Sequence, residues 1–380
     1  MAIQAEGDDA MPGDGAPTIY DVAELAGVSI ASVSRVLNGR RNPRPETRDR
    51  VLRAVAELGF APDGAARALS ARLKEVIGVV VRRPLEEDSG DPGDSLPGGE
   101  STSVAFADEA ESLLFDDLLN RGIERAAQRR GFDLLVRSVD IADPEPAPRI
   151  IALARKSDGL ILHDRLLDPA QLDRLSRQVP VVTLAGVATD TTVNVRSDNR
   201  AGMRALARHL LHDHGYRTLG YLGGYGDSPD SLARYETLSA DAEAVGAVLH
   251  SRRMWQGGYS AADGAAVMER LLADGVTLPR AIVCANDQNG LGVTYVLRRH
   301  GIDVPGDVAV TGFDDIPMAR HMRPRLTTVR QPIRELGETA FEVIYSMISR
   351  ERPAQRDVVL PARLICRESC GCQPASTGEM

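Results

Sequence analysis

The residue types with the clearest chemical use lie in TIYDVAELAGVSIASVSRVL, residues 18–37. This stretch carries several hydroxyl side chains and the guanidinium of Arg35, groups that can hydrogen-bond to polar and anionic partners. Such groups act together only if a helix presents them side by side. The next question is therefore which elements hold them.

Local signals predict two short helices joined by a tight turn. Thr18 and Asp21 form the T-x-x-D pattern of a helix cap. Gly27 suits the turn that would end this helix after Ala26, because a side chain resists the backbone angles required there. Ser29 can cap a second helix that reaches about residue 37. Residues spaced to pack the two helices together are Val22, Ala26, Val28, Val33 and Val36. The pattern predicts a helix-turn-helix; the alternative is an ordinary helical hairpin.

A third helix and a second segment directed at DNA follow. Pro45 suits the first turn of PETRDRVLRAVAEL, which Gly59 would end. Its predicted apolar face is Val51, Leu52, Val55 and Leu58, and the arginines beside it are Arg40, Arg41, Arg44, Arg48 and Arg50. Next to a helix-turn-helix, these arginines favour phosphate contact over plain solvation. Residues 63–70, DGAARALS, predict a hinge helix too short to be stable alone. There Leu69 suits a wedge in the minor groove; the alternative is a linker residue.

The net charge of −9 is unevenly distributed and does not exclude DNA binding. Residues 18–74 hold ten Lys and Arg against six Asp and Glu, whereas residues 1–17 and 84–120 hold fifteen acidic residues and no basic one. Distant charges are screened over a Debye length of roughly 8 Å, so the local balance decides attraction to phosphate. No apolar run approaches a membrane span, and the first 17 residues have no apolar core, so we expect a cytoplasmic protein.

The cysteines and histidines match no familiar metal pattern. They include Cys284, Cys366, Cys370 and Cys372, and a histidine group of His209, His212 and His214. The last three cysteines read C-x3-C-x-C with no fourth ligand nearby, so reduced thiols are favoured and no metal is expected. The histidines sit at a predicted helix end, where imidazoles also interact with the helix dipole.

From residue 76 the pattern alternates between buried strands and amphipathic helices. The predicted strands are VIGVVV (76–81), FDLLVRSV, DGLILHD, VPVVTLAG, LGYLGG, AIVCAND and DVAVTGFDD. Such alternation predicts parallel sheets with helices on both faces, which bind ligands at the carboxyl ends of their strands. GGYGDS (223–228) lacks the spacing and the downstream acid of a dinucleotide-binding loop. Composition predicts a disordered tail over 1–17 and a flexible acidic loop over 84–112.

The ordered motifs resemble the lactose-repressor/galactose-repressor family of bacterial transcription regulators. The matching pieces are TIYDVAELAGVSIASVSRVLNG, ARALS, SDNRAG (197–202), ANDQNGLG (285–292), GFDDIP (312–317) and LTTVRQP (326–332). The resemblance implies a small all-α headpiece and a periplasmic-binding-protein-like α/β sensor of two Rossmann-like lobes. The chain would cross between the lobes near His214, Gln331 and Leu360. A homodimer on a partly palindromic operator is also implied.

The predicted divisions follow this plan. They are a tail (1–17), the headpiece (18–62), a hinge helix and linker (63–74), an effector-binding and dimerisation domain (75–368, with the acidic loop at 84–112) and a C-terminal tail (369–380). An effector that closes the cleft would change the spacing of two hinge helices. Because such a helix is marginal, a few kcal/mol of differential binding is enough to order or melt it.

The resemblance further implies which residues touch DNA and effector. The DNA-contacting positions are Thr18, Ser29, Ile30, Ala31, Ser32, Ser34, Arg35, Asn38, Arg67 and Leu69. The effector-contacting positions are Phe115, Arg234, Asn286, Asp314 and Gln331, whose polar members suit ligand hydroxyls. Asn286 and Asp314 have an alternative use as helix or turn caps, and Asp198 is expected to cap a helix. Ala185 and Gly186 replace an Asp-Arg pair of many sugar-binding relatives, which argues against a simple pentose or hexose.

The sequence therefore predicts a ligand-responsive transcription regulator, best described as a repressor of carbohydrate uptake or catabolism genes. It would bind operator DNA and a small-molecule effector, need no cofactor, and act in the cytoplasm on the nucleoid. The alternatives are a non-sugar effector such as a nucleoside, or action with a co-repressor. An enzyme on this fold would need a nucleophile or paired carboxylates with a base, whereas the sequence offers scattered acids. A transport protein would not need the headpiece, and an architectural DNA protein would not need the sensor.

Overall fold

A computed structural model describes residues 17–37, 44–60, 73–83, 114–140, 143–163, 166–186, 188–250, 255–351 and 353–373. The chain divides into two compact units between Lys74 and Glu75. Several predictions fall outside the described residues: those on Asn38, on the hinge helix with Arg67 and Leu69, and on the acidic loop. Within the described ranges, no helix combines the length and apolar character needed to cross a bilayer.

The described residues of the first unit form three helices, α1 (Ile19–Ala26), α2 (Ile30–Leu37) and α3 (Pro45–Leu58). The predicted cap of α1 is confirmed, because Thr18 and Asp21 hydrogen-bond each other's backbone N–H reciprocally. Gly27 has φ +60° and Gly59 has φ +61°, the left-handed backbone that ends both helices. The Ser32 N–H donates to Ser29 Oγ over 3.3 Å, which caps α2 as predicted.

A small core joins these three helices. It is formed by Val22, Ala23, Ala26, Val33, Val51 and Ala54, with Val28, Val36, Val55 and Leu58 packed at its edge. One predicted core residue is wrong: Leu52 is 45% exposed. Ala54 takes the inward position instead, because it lies three residues from Val51 on the same face of α3.

The second unit is an α/β body of two lobes. Its helices are α4 (Leu114–Arg130), α5 (Ala147–Ala154), α6 (Pro169–Ser176), α7 (Asn199–Arg208), α8 (Pro229–Ala244), α9 (Ala261–Ala273), α10 (Asp287–Arg299) and α11 (Ile333–Ile348). Its strands are β1 (Val76–Arg83), β2 (Asp133–Asp140), β3 (Gly159–His163), β4 (Val181–Leu184), β5 (Val193–Ser197), β6 (Thr218–Leu222), β7 (Val248–Leu249), β8 (Ala281–Cys284), β9 (Ala309–Thr311), β10 (Thr328–Arg330), β11 (Asp357–Leu360) and β12 (Arg363–Ile365). A π-helical turn, His209–Asp213, extends α7, and short 3-10 turns cover Pro317–Arg320 and Glu368–Cys370.

Each lobe is built on a parallel sheet, as the alternating pattern predicts. In the first lobe the strand order is β11-β5-β4-β3-β1-β2, and in the second it is β7-β6-β8-β9. In β3 and β8 nearly every side chain is buried, because helices cover both faces of each sheet. Strands β10 and β12 pair antiparallel in a separate two-stranded ribbon.

In the described part of the second unit the chain passes between the lobes three times, and one predicted crossing is wrong. The first crossing lies between Ser197, the end of β5, and Asn199, the start of α7, not near His214. Helix α7 packs into the core of the second lobe through residues such as Met203 and Leu206. The second crossing lies between β10 and α11, near Gln331, and the third between β11 and β12, just after Leu360, as predicted.

Two glycines allow one close helix crossing in this body. A methyl group added at Gly122 of α4 would lie 2.1 Å from the carbonyl oxygen of Arg334, and one at Gly337 of α11 would lie 2.2 Å from that of Leu119. Helices α4 and α11 therefore touch backbone to backbone. This contact lets Phe341 of α11 reach the first-lobe core, although α11 follows the second lobe in sequence.

Candidate functional site

A cavity of about 200 Å³ lies at the carboxyl ends of the strands of both lobes. The first lobe lines it with residues that follow or end β1, β3, β4 and β5, and the second with residues that follow β6, β8 and β9. All five residues predicted to contact effector line it, namely Phe115, Arg234, Asn286, Asp314 and Gln331. They come from segments more than 200 residues apart, and the three crossings bring them together.

Arg234 is a fixed cation in the wall of this cavity. Only 3% of it is exposed, and it projects from α8 over the ring of Phe313, with 3.7 Å between the guanidinium carbon and the ring centroid. Its Nε donates to Asn199 Oδ1 over 2.8 Å, and Nη1 donates to the carbonyl oxygen of Ala285 over 2.6 Å. Its Nη2 lies 3.6 Å from a carboxylate oxygen of Asp230. These contacts hold the guanidinium in one orientation, so it is preorganised for a polar ligand.

Asp314 supplies an acid to the same wall. It is 4% exposed and accepts a 2.6 Å hydrogen bond from Gln331 Nε2. Burial raises the pKa of Asp314 to about 7, while Arg234 and the bond from Gln331 act in the opposite direction. Burial also raises the pKa of Asp230, which accepts a 2.8 Å hydrogen bond from Asn199 Nδ2. The cavity therefore offers a carboxyl group that can be donor or acceptor near neutral pH.

The backbone at Asp314 is strained. Its φ is +121°, and Asp315 follows with φ +57°. Left-handed backbone costs of order 1–3 kcal/mol at a non-glycine residue and persists where surrounding contacts enforce it. Here Asp315 is the enforcing residue, because its fully buried carboxylate lies 2.5 Å from Arg330 and 2.6 Å from Arg367. This ion-pair group aims the Asp314 carboxyl at the cavity.

Asn286 has the capping role that the sequence left open. Its Oδ1 accepts from the Asn289 N–H over 2.8 Å, which starts α10, and its Nδ2 donates to the Tyr259 carbonyl over 2.8 Å. The side chain still lines the cavity. Asp198 caps α7 as predicted, since its Oδ1 accepts from the Ala201 N–H over 2.9 Å.

Two cavity residues missed by the sequence reasoning have buried polar atoms that find no hydrogen-bond partner among the residues that the structure describes. They are His163, at the end of β3, through Nε2, and Ser197, at the end of β5, through Oγ. The opposite nitrogen of His163 lies 3.5 Å from Asp116, and burial lowers the pKa of this imidazole against the raising effect of Asp116. Leaving a buried polar atom unpaired costs about 1–3 kcal/mol, so both atoms point to a polar ligand. The only sequence signal was their position at strand ends.

Apolar and aromatic groups complete the cavity. Phe115, Tyr225 and Tyr259 line it, and the two tyrosine rings meet edge to face at 5.4 Å. Ala185 also lines it, in left-handed backbone with φ +56°, and contributes only a methyl group. Ring faces of this kind suit the C–H face of a cyclic ligand, while the acids and Arg234 suit its hydroxyls.

The second candidate site is the outer face of α2. Ser29, Ile30, Ala31 and Arg35 are exposed there, with Ile30 41% exposed, and Ser32 and Ser34 are half-buried. Ser29 Oγ and Ser32 Oγ lie 2.9 Å apart, and Arg35 Nε donates to the Ala31 carbonyl over 3.1 Å. The predicted contact residues of α2 thus share the first turns and one surface of a helix whose opposite side packs through Val33.

Tyr20 is a surface residue that sequence reasoning missed. It follows the capped end of α1 and is 67% exposed. Its ring contributes nothing to the small core of the first unit. An exposed phenol beside the helix cap can donate a hydrogen bond to an anionic backbone.

Comparison with known proteins gives consistent matches at both ends of the chain. A model of bacterial regulatory proteins of the lacI family matches residues 18–63, and a model of the periplasmic binding protein-like domain matches residues 207–370. The HTH-type transcriptional regulator GalS of Salmonella typhimurium is 31% identical over 328 residues, which cover 86% of this chain and 88% of GalS.

Solved structures agree with these matches. A lac repressor dimer bound to operator and the anti-inducer ONPF has a TM-score of 0.76 and 25% identity, covering 94% of this chain and 99% of that one. A complex of the transcriptional regulator CelR with cellobiose has a TM-score of 0.63 and 27% identity, covering 93% of this chain and 99% of that one.

Proposed function

The chain belongs to the lacI family of bacterial regulatory proteins and is a ligand-responsive, DNA-binding transcriptional repressor, and we propose that its ligand is a carbohydrate held in the cavity between the lobes. The observation that carries this proposal is the pair of unsatisfied atoms, His163 Nε2 and Ser197 Oγ, across from the buried Asp314 and Arg234. Such an arrangement can hydrogen-bond to several hydroxyl groups of one ligand.

The cavity volume limits the size of the ligand. At about 200 Å³ it falls below the range of roughly 300–1,000 Å³ usual for drug-sized ligands. We therefore favour a ligand of about one ring, a substituted monosaccharide rather than a simple pentose or hexose, with one face against Phe115 and its hydroxyls toward Asp314 and Arg234. The relative with cellobiose bound supports the chemical class, and the lining of this cavity, with Ala185 in place of an acid, supports a different member of it.

We propose that the outer face of α2 enters the major groove of an operator. Arg35 would donate two hydrogen bonds to a guanine, while Ile30 and Ala31 would make apolar contacts. Thr18, Ser29, Ser32, Ser34 and Tyr20 would contact phosphates or sugars. Two copies of the chain would bind the two halves of a partly palindromic site, as the operator complex of the lac repressor dimer suggests. We propose that this binding takes place on the bacterial chromosome.

Regulation would follow from closure of the two lobes on ligand. The lobes are joined by three crossings, and cavity residues come from both sides. A ligand that binds the closed form better shifts the population toward it by its difference in affinity, typically 1–3 kcal/mol. We propose that this shift reaches DNA through the segment before β1, where Arg67 and Leu69 are expected to contact the duplex.

The effector proposal is tested with a thermal-shift screen of monosaccharides, glycosides and nucleosides on the full chain. A sugar that binds the native state raises the melting temperature, and the same sugar should change the affinity for a selected palindromic operator in a gel shift. Ser197→Ala is the informative variant, because no described residue hydrogen-bonds to Ser197 Oγ, which lines the cavity. It should leave the melting temperature unchanged without ligand and weaken sugar binding about fivefold to tenfold.

Ser346→Ala is the matched control. This serine lies on α11, donates to the Val343 carbonyl over 2.8 Å and does not line the cavity. Equal sugar affinity in wild type and both variants would remove Ser197 from the binding site. Stabilisation by nucleosides alone, with no response to any sugar, would overturn the carbohydrate proposal.

A further inference from the structure

Two histidines and two cysteines meet on the second lobe, outside the cavity. They are His209, His214, Cys370 and Cys372, and one potential ligand atom from each lies within 4.8 Å of the others. The two pairs are about 160 residues apart in sequence, so neither forms a motif by itself. From this group we propose that the protein binds a Zn²⁺ ion, with two imidazole nitrogens and two thiolate sulfurs as ligands.

The spacing of the four atoms fits a tetrahedral zinc ion. With Zn–N near 2.05 Å and Zn–S near 2.3 Å, tetrahedral geometry requires about 3.3 Å between two nitrogens and about 3.6 Å between nitrogen and sulfur. His209 Nε2 and His214 Nε2 are 3.1 Å apart. Cys370 Sγ lies 3.4 Å from His209 Nε2, and Cys372 Sγ lies 3.4 Å from His209 Nε2 and 3.5 Å from His214 Nε2. Small shifts of the side chains would place all four atoms at tetrahedral positions around one zinc ion.

A π-helical turn puts the two histidines on the same side. In an α-helix, residues five apart are separated by about 140° around the axis. Here the turn His209–Asp213 is π-helical and is closed by a 3.1 Å hydrogen bond from the His214 N–H to the His209 carbonyl. The wider turn brings His214 back beneath His209, with 4.6 Å between their ring centroids. Such turns are rare in proteins overall, and many of them lie at functional sites.

The second ligand pair depends on Gly371. Its φ of +99° reverses the chain between Cys370 and Cys372, so that both sulfurs face the histidines. A methyl group at Gly371 would also lie 3.0 Å from Tyr216 Oη, which donates to the Cys370 carbonyl over 2.8 Å. The segment is further fixed by Ser369, whose Oγ hydrogen-bonds to the backbone of Val310 and Thr327. The predicted C-terminal tail thus starts inside a packed turn.

Outer contacts orient the ligands as they do in zinc proteins. Asp213 Oδ2 lies 2.9 Å from His209 Nδ1. When that carboxylate accepts a hydrogen bond from the protonated Nδ1, the neutral imidazole keeps its lone pair on Nε2, the atom that faces the other three ligands. Thr327 Oγ1 donates to Cys370 Sγ over 3.0 Å, which suits a thiolate. Two thiolates neutralise the charge of the ion, and this N₂S₂ donor set with tetrahedral spacing selects zinc over magnesium or calcium.

The test uses the full chain, purified with a reductant, loaded with Zn²⁺ and dialysed. Metal analysis should find about one zinc per chain, Co²⁺ should give the absorption of a tetrahedral thiolate site, and chelation should lower the melting temperature by about 5 °C or more. Cys372→Ser, at a half-buried position, should weaken zinc binding at least a hundredfold in a competition assay with a chromophoric chelator. Asp213→Asn, which alters only the outer contact to His209, should weaken it about 10–100-fold.

His212→Asn and Cys366→Ser are the matched controls. His212 lies on the same π-helical turn, and Cys366 on the same C-terminal segment, but both are exposed and outside the group of four. Both controls should bind zinc like the wild type. Wild-type protein that retains less than about a tenth of an equivalent of zinc, or Cys372→Ser protein that binds it as tightly as the controls, would overturn the proposal.

Discussion

Replacing Asp314 by Asn should remove a specific pH dependence of stability. Burial holds the pKa of Asp314 at about 7 in the folded chain, compared with about 3.9 for an unperturbed Asp. Between these values the folded chain binds a proton that the unfolded chain has released. The stability contributed by this group is therefore complete below about pH 4 and is lost as the pH rises to about 7.

The size of the effect follows from the same two values. Between about pH 4 and pH 7, each pH unit changes the free energy of unfolding by up to about 1.4 kcal/mol. The change per unit becomes smaller near pH 7, because Asp314 also releases its proton in the folded chain there. Between pH 5 and pH 7 the wild type should lose about 2 kcal/mol through Asp314. Asn preserves the shape, accepts the hydrogen bond from Gln331 and tolerates left-handed backbone better than most residues, so the variant should lack this loss.

The other charges around Asp314 are common to both proteins. They are Arg234 and Asp230 on α8, Asp116 on α4 and Asp287 on α10. Their own titrations largely cancel when the variant is compared with the wild type. The repulsion between Asp287 and Asp314 does not cancel, because it is present only in the wild type. Its loss should stabilise Asp314→Asn further, relative to the wild type, above pH 7.

The assay is denaturant unfolding from pH 5 to pH 8, followed by the fluorescence of the single tryptophan, Trp255, which is fully buried in the second lobe. Asp274→Asn, at an exposed position after α9, is the control and should follow the wild type. Stability curves for Asp314→Asn and wild type that run parallel across this range would refute the reasoning. In the same protein, sugar affinity at pH 8 should fall about tenfold, because a charged acceptor is lost.

Four further predictions concern the headpiece and the packing of the body. Arg35→Ala should weaken operator binding about 10–100-fold in a gel shift, whereas Arg204→Ala, an exposed arginine of the second unit, should not change it. Thr18→Ala removes the cap of α1 and should cost about 1 kcal/mol in headpiece unfolding followed by circular dichroism. Asp315→Ala leaves the buried arginine contacts unpaired and should cost about 3–5 kcal/mol in denaturant unfolding. Gly122→Ala places a methyl group against the backbone of α11 and should lower the free energy of unfolding by about 1–3 kcal/mol in denaturant unfolding. An unchanged denaturation curve would mean that the two helices separate freely and do not need the glycine.

The parts of this fold that the sequence predicts are those set by neighbours along the chain. Thr18 with Asp21, and Gly27, act within one turn, so α1, the helix that they bound, was predicted with its limits. The buried strands were predicted for the same reason, since a short continuous apolar run such as VIGVVV is itself typical of a buried strand. Leu52 was misassigned because a helix offers several apolar residues and only packing decides which one turns inward.

The parts that were missed depend on residues far apart in sequence. Strand β10 has only three residues and is positioned by its pairing with β12. The first crossing was misplaced because no sequence signal near Ser197 indicates that the chain changes lobe there. The cavity positions of His163 and Ser197 likewise depend on where two strands end. The meeting of His209 with Cys370 was invisible, since each pair was judged without the other.

The late return of α11 and β11 to the first lobe has a consequence for synthesis on the ribosome. Phe341 and Ile344 fill a core whose members on β1, β3, β4, β5 and α4 were translated about 150–260 residues earlier. Until they emerge, the apolar surface of α4 and the open edge of β5 stay uncovered. At about 5–20 residues per second, that interval lasts on the order of 10–40 s. The first lobe to be made is thus the last to be finished, and nascent chains halted before residue 333 should require chaperone protection that the completed protein does not.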